Sequence, residues 1–429
     1  MQNVFDFFEK WGLDKKWVLF PAGFVMLIVL AWLYEGEAPV IGVAFSWAFF
    51  FAPIWLPVLL IAAGWPLWLH YVRTKFIASQ KVTLLEIRIP RDILKSPRAM
   101  ELVFDGLAYG GGEGTFINRN IEGRVRQWWS FEMVSIGGQI HLYIWTRAGM
   151  RDMVETQLYA HYPGIEIYEV DDYATRFHFD PATTGAWGCD FIKNPKKPKA
   201  MPLKTYADYE LDKNPDEENK VDPIAHIYES LSALKPGEQI WLQIMFRQSK
   251  EDLSKEVQET IKKIRDDATP KYTDAEGNER TGFTSLTKAQ EEQINAMGRA
   301  LGKNAFDIGM RTVYLYPKDA FNSSRIQMLT GLWRAFGSGN LNNLQPTRWF
   351  TTFNWPWQDW FISKDGMAEE LVDAYKRRSW FWPPYKEDPF VMTSEELATI
   401  CHFPSSTIQA PGLARIPATK AEAPSNLPV

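Results

Sequence analysis

Few residue patterns in this chain are able to carry chemistry on their own. A phosphate cradle needs successive glycines whose backbone N–H groups face the anion, followed by a lysine and a hydroxyl residue that reach the terminal phosphate and Mg²⁺. Gly298-Arg-Ala-Leu-Gly-Lys303-Asn304 has the lysine, but at the wrong spacing and without the hydroxyl. Gly337-Ser-Gly-Asn-Leu341 and Gly110-Gly-Gly-Glu-Gly114 have no following lysine, and the second reads as a turn. The six histidines form neither HExxH nor His-x₃-His, and there is no CxxC pair, so local spacing names no metal ligand. Cys401-His402 sends adjacent side chains in different directions, and Phe403-Pro404 behind it reads as the end of a helix. A Gly-x-Ser-x-Gly elbow is missing, which removes local support for a serine nucleophile. Asp171-Asp172 and Asp216-Glu-Glu218 sit in polar, loop-like surroundings and read as solvated charge rather than a paired-carboxylate site. The expectation is a protein that is not an enzyme, with no catalytic, cofactor-binding or metal residues and no cofactor.

Composition narrows the partners. The chain has 429 residues and a formal charge of −5, so it lacks the broad basic footprint that gripping nucleic acid phosphates requires. Lys193-Asn-Pro-Lys-Lys-Pro-Lys199 and Lys376-Arg-Arg378 are local exceptions, read as solvated loop and helix-end charge. Cys189 and Cys401 lie far apart and read as free thiols.

The elements that must hold these residues begin with two long uncharged stretches, Trp17–Tyr34 and Ala38–His70, joined through Glu35-Gly-Glu37. A bilayer core takes roughly 20 apolar helical residues. The reading is a transmembrane helical hairpin over 17–71, its second helix kinked by Pro53, Pro57 and Pro66. Lys10, Lys15 and Lys16 before it and Arg73, Lys75 and Lys81 after it place both termini and the soluble domains in the cytoplasm, in an inner or plasma membrane protein.

Downstream, Thr83–Pro90 alternates as a strand, Ser96-Pro97 opens a helix through Leu107, and strands at 129–135 and 139–146 flank Ile136-Gly-Gly138. A helix from Gly149 to His161 and a strand at 165–170 complete a βαββαβ order. The order repeats with a strand at Leu203–Leu211, a helix opened by Asp222-Pro223, strands at 239–247 and 307–317, a helix capped by Ser323 or Ser324 and a last strand at 340–344. Charged helices at 251–267 and 287–301 form an insertion. The fold class is therefore α+β, with the hairpin followed by two tandem ferredoxin-like domains and an extended C-terminal linker. Its boundaries are 1–16, hairpin 17–71, first domain 82–175, second domain 200–350 with insertion 250–303, an aromatic-rich helical segment 351–404 and a Pro/Ala-rich tail 405–429. The rings from Trp349 to Tyr385 read mainly as packing for the Gly366–Arg378 helix, with a protein-contact surface as the other reading.

Three groups of phrases carry a family resemblance. Glu395-Glu-Leu-Ala-Thr-Ile-Cys-His-Phe-Pro404 with its extended tail, Arg151–Pro163 with Glu169-Val-Asp-Asp-Tyr173, and Phe306–Tyr316 resemble the non-motor region ahead of the nucleotide-binding core in conjugative, type IV secretion and HerA-like DNA-translocating ATPases. No such core follows in this sequence. The resemblance implies a membrane-anchored, non-catalytic platform that docks a separate hexameric ATPase through the 405–429 tail, itself a homo-oligomer, with direct nucleic acid binding left open and cargo either DNA or protein. A scaffold for another envelope complex, an enzyme with a site between the two ferredoxin-like domains, and the front piece of a longer ATPase are the other readings.

Overall fold

The computed structural model describes residues 46, 49–91, 95–213, 221–273, 279–347, 363–405 and 411–416. The chain divides into two compact units, a smaller one of Met1–Gln80, Gly111–Arg126 and Ser379–Asp388, and a larger one of Lys81–Gly110, Gln127–Arg378 and Pro389–Val429.

In the smaller unit, helix α1 (Ala52–Ser79) starts with Pro53 in its first turn and contains Pro57 and Pro66. Trp65 stacks on Phe116 of a short helix, Phe116–Asn120, that Thr115 caps. The Trp68 indole donates to the Asn120 carbonyl at 2.8 Å. Gly123, at φ +67°, lies so close to the Val72 backbone that a Cβ would come within 2.3 Å of its carbonyl oxygen. Among the described residues no helix is long and apolar enough to cross a membrane. This overturns the transmembrane hairpin over 17–71, and with it the multi-pass inner-membrane location and the cytoplasmic orientation. Absence of charge had stood in for apolarity, but Pro57, Gly64, Trp65, Pro66 and Trp68 dilute the aliphatic residues and Arg73 and Lys75 follow within α1. The first expected span, 17–34, lies outside the described residues.

In the larger unit, strand β1 (Val82–Pro90) turns Leu85, Ile87 and Ile89 to one side and Glu86 and Arg88 to the other. Helix α2 (Pro97–Gly106), strands β2 (Trp129–Ile136) and β3 (Gln139–Arg147), helix α3 (Arg151–His161) and strand β4 (Glu166–Val170) follow. Then come β5 (Thr184–Lys193), α4 (Ile224–Ser232), β6 (Gln239–Gln248), and an insertion of α5 (Leu253–Asp267), β7 (Lys271–Thr273), β8 (Glu279–Thr281) and α6 (Lys288–Ala300). The chain continues through β9 (Ala305–Pro317), α7 (Ser323–Gly331), β10 (Leu344–Thr347), α8 (Lys364–Lys376), β11 (Phe390–Thr393), α9 (Ser394–Cys401) and β12 (Arg415–Ile416).

Both βαββαβ orders lie in one ten-stranded sheet, in the sequence β10-β5-β9-β6-β2-β3-β1, with β4 also on β1, β11 on β9 and β12 on β1. The expected pair of separate four-stranded sheets is thereby corrected. Strands β2 and β6 would be edges of isolated sheets, and instead they pair antiparallel over eight residues, from Trp129↔Phe246 to Ile136↔Gln239. Helices α2, α3, α4, α7 and α9 cover one face over a core that includes Phe104, Phe131, Leu158, Tyr228, Ile244 and Ile400. Helix α8 lies on the opposite face, with the Leu371 methyls against Gly188 of β5.

The first strand of the second half is β5, and the expected strand at Leu203–Leu211 is a series of turns. No strand is expected over 184–193, which carries Gly185 and Gly188. Their small size has a packing cause, because a Cβ on Gly185 would strike the Tyr316 ring at 2.4 Å and one on Gly188 would strike the Thr312 carbonyl at 2.3 Å. The last strand is shifted from 340–344 to β10, and Asn322 rather than Ser323 or Ser324 caps α7. The insertion has a small core of its own, built from Val257, Ala296 and Met297 with Met201 and Leu341.

Candidate functional site

One register row crosses the sheet. Tyr168, Glu86, Tyr143, Glu132, Gln243, Arg311, Asp190 and Thr347 are successive cross-strand partners on β4, β1, β3, β2, β6, β9, β5 and β10. Five of the six central residues lie between apolar neighbours that enter the opposite core, for example Phe131 and Met133 around Glu132, and Leu242 and Ile244 around Gln243, while Arg311 lies between Met310 and Thr312. The alternation of the strands therefore puts a line of polar groups beneath the face that α8 covers.

Burying such groups is costly unless each finds a partner. Glu132 is fully buried and is closed by Arg378, whose Nε donates to Oε1 at 3.0 Å and Nη2 to Oε2 at 3.1 Å. The Tyr173 hydroxyl donates to Oε2 at 2.8 Å, the Ser130 hydroxyl to Oε1 at 2.7 Å and the Gln243 amide to Oε1 at 3.2 Å. Arg378 stands just past α8 at φ +47° and also reaches Asp172 through Nη1 and, at 2.9 Å, through Nη2. Burial by itself would lower the Arg378 guanidinium, but the Glu132 charge and the bonds to Asp172 and Glu132 hold it well above its ordinary value. Burial opposes ionisation of Asp172 too, and the Arg378 bond outweighs it, so that carboxyl is held below its usual range. Burial, reinforced by Glu132, pushes the Tyr173 and Tyr375 hydroxyls well up, and the two lie 2.7 Å apart.

Along the row, Arg311 Nε donates to Asp190 at 2.9 Å, both side chains being inaccessible to solvent or nearly so. Glu86 accepts from Arg88 at 3.1 Å and meets His141 Nδ1 at 2.8 Å. Beside the β1 end, Val82, Thr83, Trp145, Glu169, Asp172 and Arg176 border an open groove of about 630 Å³. Thr83 and Arg151 bond Glu169 there, and Arg176 bonds Asp171. The carboxylates of the row and groove named here thus have cationic or hydroxyl partners, and the buried tyrosines are held protonated. Such an arrangement fixes α8 and the short helix Tyr173–Arg176 to the sheet.

A second network joins α2, the 203–211 turns, the end of α6 and α9. Lys303 Nζ bridges Glu101 at 2.6 Å and Glu395 at 2.9 Å. Arg299 binds Asp208 at 2.5 Å and Glu395 at 3.3 Å, Thr205 donates to Glu395 at 2.5 Å, and Tyr206 donates to Glu101. Burial would lower the Lys303 ammonium, but the bonds to Glu101 and Glu395 raise it. Adjacent Glu396 takes the opposite side, accepting from the Leu203 amide at 2.8 Å and pairing with buried Lys193 at 2.6 Å, while its second oxygen closes a capping box with Thr393.

The patterns singled out in the sequence fall into these networks or into turns. Lys303, the lysine of the nearest phosphate-loop candidate, is the bridge just described. In the Gly337–Leu341 loop, carbonyls of Ser338, Gly339 and Leu341 accept from Lys197, and Gly112 is a left-handed turn residue at φ +111°. The Lys193–Lys199 cluster is dispersed, since Lys193 is buried and Lys199 faces Glu251. Lys376 donates to the Phe177 carbonyl and Arg377 pairs with Asp373. His402 is the C-cap of α9, and its Nε2 lies 2.9 Å from Asp222, whose other oxygen accepts from the Ile224 amide at the start of α4. Cys189 and Cys401 are buried, and burial pushes both thiols up. Trp380 and Phe381 are buried; residues 348–362, with the other expected aromatic pairs, and Asp216-Glu-Glu218 lie outside the described residues. Among the described residues no group of three or more His, Cys, Asp or Glu is placed to hold a metal.

Along the seam between the two halves, where one reading places an enzyme site, β2 and β6 are hydrogen-bonded neighbours. What sequence reading missed is the row itself. Its signal was present as a charged or amide residue in the middle of apolar strands, as in Phe131-Glu-Met133, Ile240-Trp-Leu-Gln-Ile244 and Met310-Arg-Thr312.

The chain segment after α9 also returns to the sheet. The Ile140 amide donates to the Gly412 carbonyl at 2.7 Å, Leu413 bridges Ile140, and β12 pairs in parallel with Ile89 and Pro90. Arg415 donates to the Arg91 and Ser405 carbonyls. Residues 84–415 match the family described as a domain of unknown function, DUF8128, and the match runs from within β1 to β12, taking in both halves of the sheet and the returning segment. No curated protein matches the chain. The chain therefore belongs to the DUF8128 family.

Proposed function

We propose that this chain is a non-catalytic docking subunit that presents a rigid sheet to a separately encoded ATPase of the conjugative, type IV secretion or HerA-like kind. One observation carries the reading. The phrase that resembles the lead-in to such motors, Glu395–Pro404 and the segment behind it, is fastened to the sheet at both ends: α9 by Thr393, Glu395, Glu396 and His402, and residues 411–416 by β1 and β3. A lead-in held this firmly fixes the direction in which a partner at the tail is presented. The closed ion pairs of the polar row support the non-catalytic side of the reading, because a general acid or base needs an exchangeable proton within reach of substrate.

Affinity purification of the full chain and of a variant ending at residue 410, each followed by mass spectrometry, tests the proposal. A hexamer-forming ATPase recovered with the full chain and lost from the shortened one is the expected result. Equal recovery from both would move the contact elsewhere, and recovery of no ATPase from either would sink the reading.

A further inference from the structure

Helix α1 carries an apolar stripe away from its contacts with the 116–123 segment. Pro57, Leu60, Gly64, Leu67 and Tyr71 follow one another at intervals of three, four, three and four, the spacing that keeps side chains on one side of a helix for another helix to pack against. Leu60 is 60 % exposed, Leu67 41 % and Tyr71 56 %, whereas on the neighbouring side Val72 is buried at 6 %. At the centre, a Cβ built on Gly64 has nothing within 4 Å, so a second backbone has room to approach.

We propose that this stripe is the contact between two copies of the chain, with the two α1 helices antiparallel and Gly64 on the two-fold axis. The stripe is close to its own mirror about Gly64: a leucine four residues before and another three residues after, then Pro57 and Tyr71 each seven residues away. An antiparallel two-fold sets Leu60 of one copy against Leu67 of the other, and Pro57 against Tyr71, while each leucine leans into the gap left by glycine. Such self-complementarity is what an isologous interface requires. From Ala52 to Val72 the helix has no formal charge, so two copies meet without like-charge repulsion. Half-exposed aromatic and large aliphatic side chains present about 100 Å² each. With Ile54 and Ile61 alongside, also exposed, these five side chains offer on the order of 500 Å² per copy, or about the 1,000 Å² in total that a specific interface needs.

The test uses the full chain. Light scattering at micromolar concentration reads the mass, and Gly64→Cys with oxidised glutathione reads the axis, against a background in which Cys189 and Cys401 are buried. Expected are a dimer, a Gly64→Cys disulfide linking two chains, and a monomer for Leu60→Asp/Leu67→Asp with unchanged circular dichroism, since both positions are exposed within one chain. A monomeric parent chain overturns the proposal, as does a dimer that survives Leu60→Asp/Leu67→Asp. Two other occupants are also outcomes that overturn it: a Gly64→Cys thiol that a maleimide–succinimidyl linker joins to Lys10, Lys15 or Lys16 of its own chain rather than to a second copy, or one shielded from maleimide only when detergent micelles or lipid vesicles are present.

Discussion

Glu132 and Gln243 are cross-strand partners at the seam between β2 and β6, and they occupy equivalent places in the two βαββαβ halves. The same equivalence pairs Glu86 with Asp190 and Tyr143 with Arg311 along the row. One half thus contributes a carboxylate at the seam where the other contributes its amide counterpart, and the amide donates to the carboxylate at 3.2 Å. A second carboxylate at 243 would face Glu132 with Arg378 as their shared cation.

Removing Arg378 leaves the Glu132 charge buried without its bidentate partner. Arg378→Met is expected to cost about 3–5 kcal/mol of unfolding free energy, the range for breaking a buried pair from one side. The double variant Glu132→Gln/Arg378→Met is expected to recover a large part of that loss. Urea denaturation of the two variants and the parent measures the difference, and equal stability of single and double variants would show that Glu132 is not what Arg378 neutralises.

The His402–Asp222 pair sets two pH limits. Burial would lower the imidazole, but the Asp222 charge and bond, with backbone carbonyls at Nδ1, raise His402 above its ordinary 6.5. A raised value in the folded state gives stability that is fully present below pH 6.5 and is lost as pH rises through the folded value. Asp222 is held below 3.8 against burial by the His402 charge, so its contribution is present above pH 3.8 and is lost as pH falls through its folded value. Chemical denaturation between pH 5 and pH 9, values chosen to bracket the histidine step, is expected to show stability falling on the alkaline side, and His402→Gln is expected to flatten that fall.

Gly188 is where β5 accepts α8. A Cβ there would meet the Thr312 carbonyl oxygen at 2.3 Å and a Leu371 methyl at 2.6 Å. Backbone and a buried side chain must both move, so Gly188→Ala is expected to cost about 1–3 kcal/mol. Thermal unfolding of the variant is the measurement, and an unchanged midpoint would mean that α8 does not lie against the strand.

Gly412 is pressed against the Gly138 carbonyl, leaving no room for a Cβ. Gly412→Val is expected to lift residues 411–416 from the sheet without disturbing the sheet core. Trypsin should then cut after Arg415 faster than in the parent chain, because Arg415 loses its bonds to the Arg91 and Ser405 carbonyls. Mass spectrometry of the first fragments reads this directly.

Most strands and helices of the larger unit were legible because their apolar residues recur at two or at three and four. The helices Arg151–His161 and Leu253–Asp267 and the strands Gln239–Gln248 and Ala305–Pro317 are examples. Strand β5 was hidden because Gly185 and Gly188 carry a turn signal locally while serving distant partners, Tyr316 and Leu371. The joining of the halves was hidden for a related reason. Pairing of β2 with β6 is a main-chain contact between strands far apart in sequence, and main-chain contacts leave no residue type behind. The polar row was half visible, since a buried Glu132 could be suspected from its apolar neighbours, but its partner Arg378 lies 246 residues away. At the N-terminus, residue charge was informative about loops but not about span, since Trp, Pro and Gly are uncharged without being strongly apolar.

The seam between β2 and β6 gives a repeated molecule a direction. Two identical halves joined edge to edge would look the same from either end, and a partner would have no basis for choosing one. With Glu132 on one side and Gln243 on the other, one arginine suffices, and it arrives with α8, which packs on the second half's strands β5 and β9. The returning segment makes the opposite choice and pairs with strands of the first half, β1 and β3. Internal repetition builds the beam, and these two unequal attachments tell one end of it from the other.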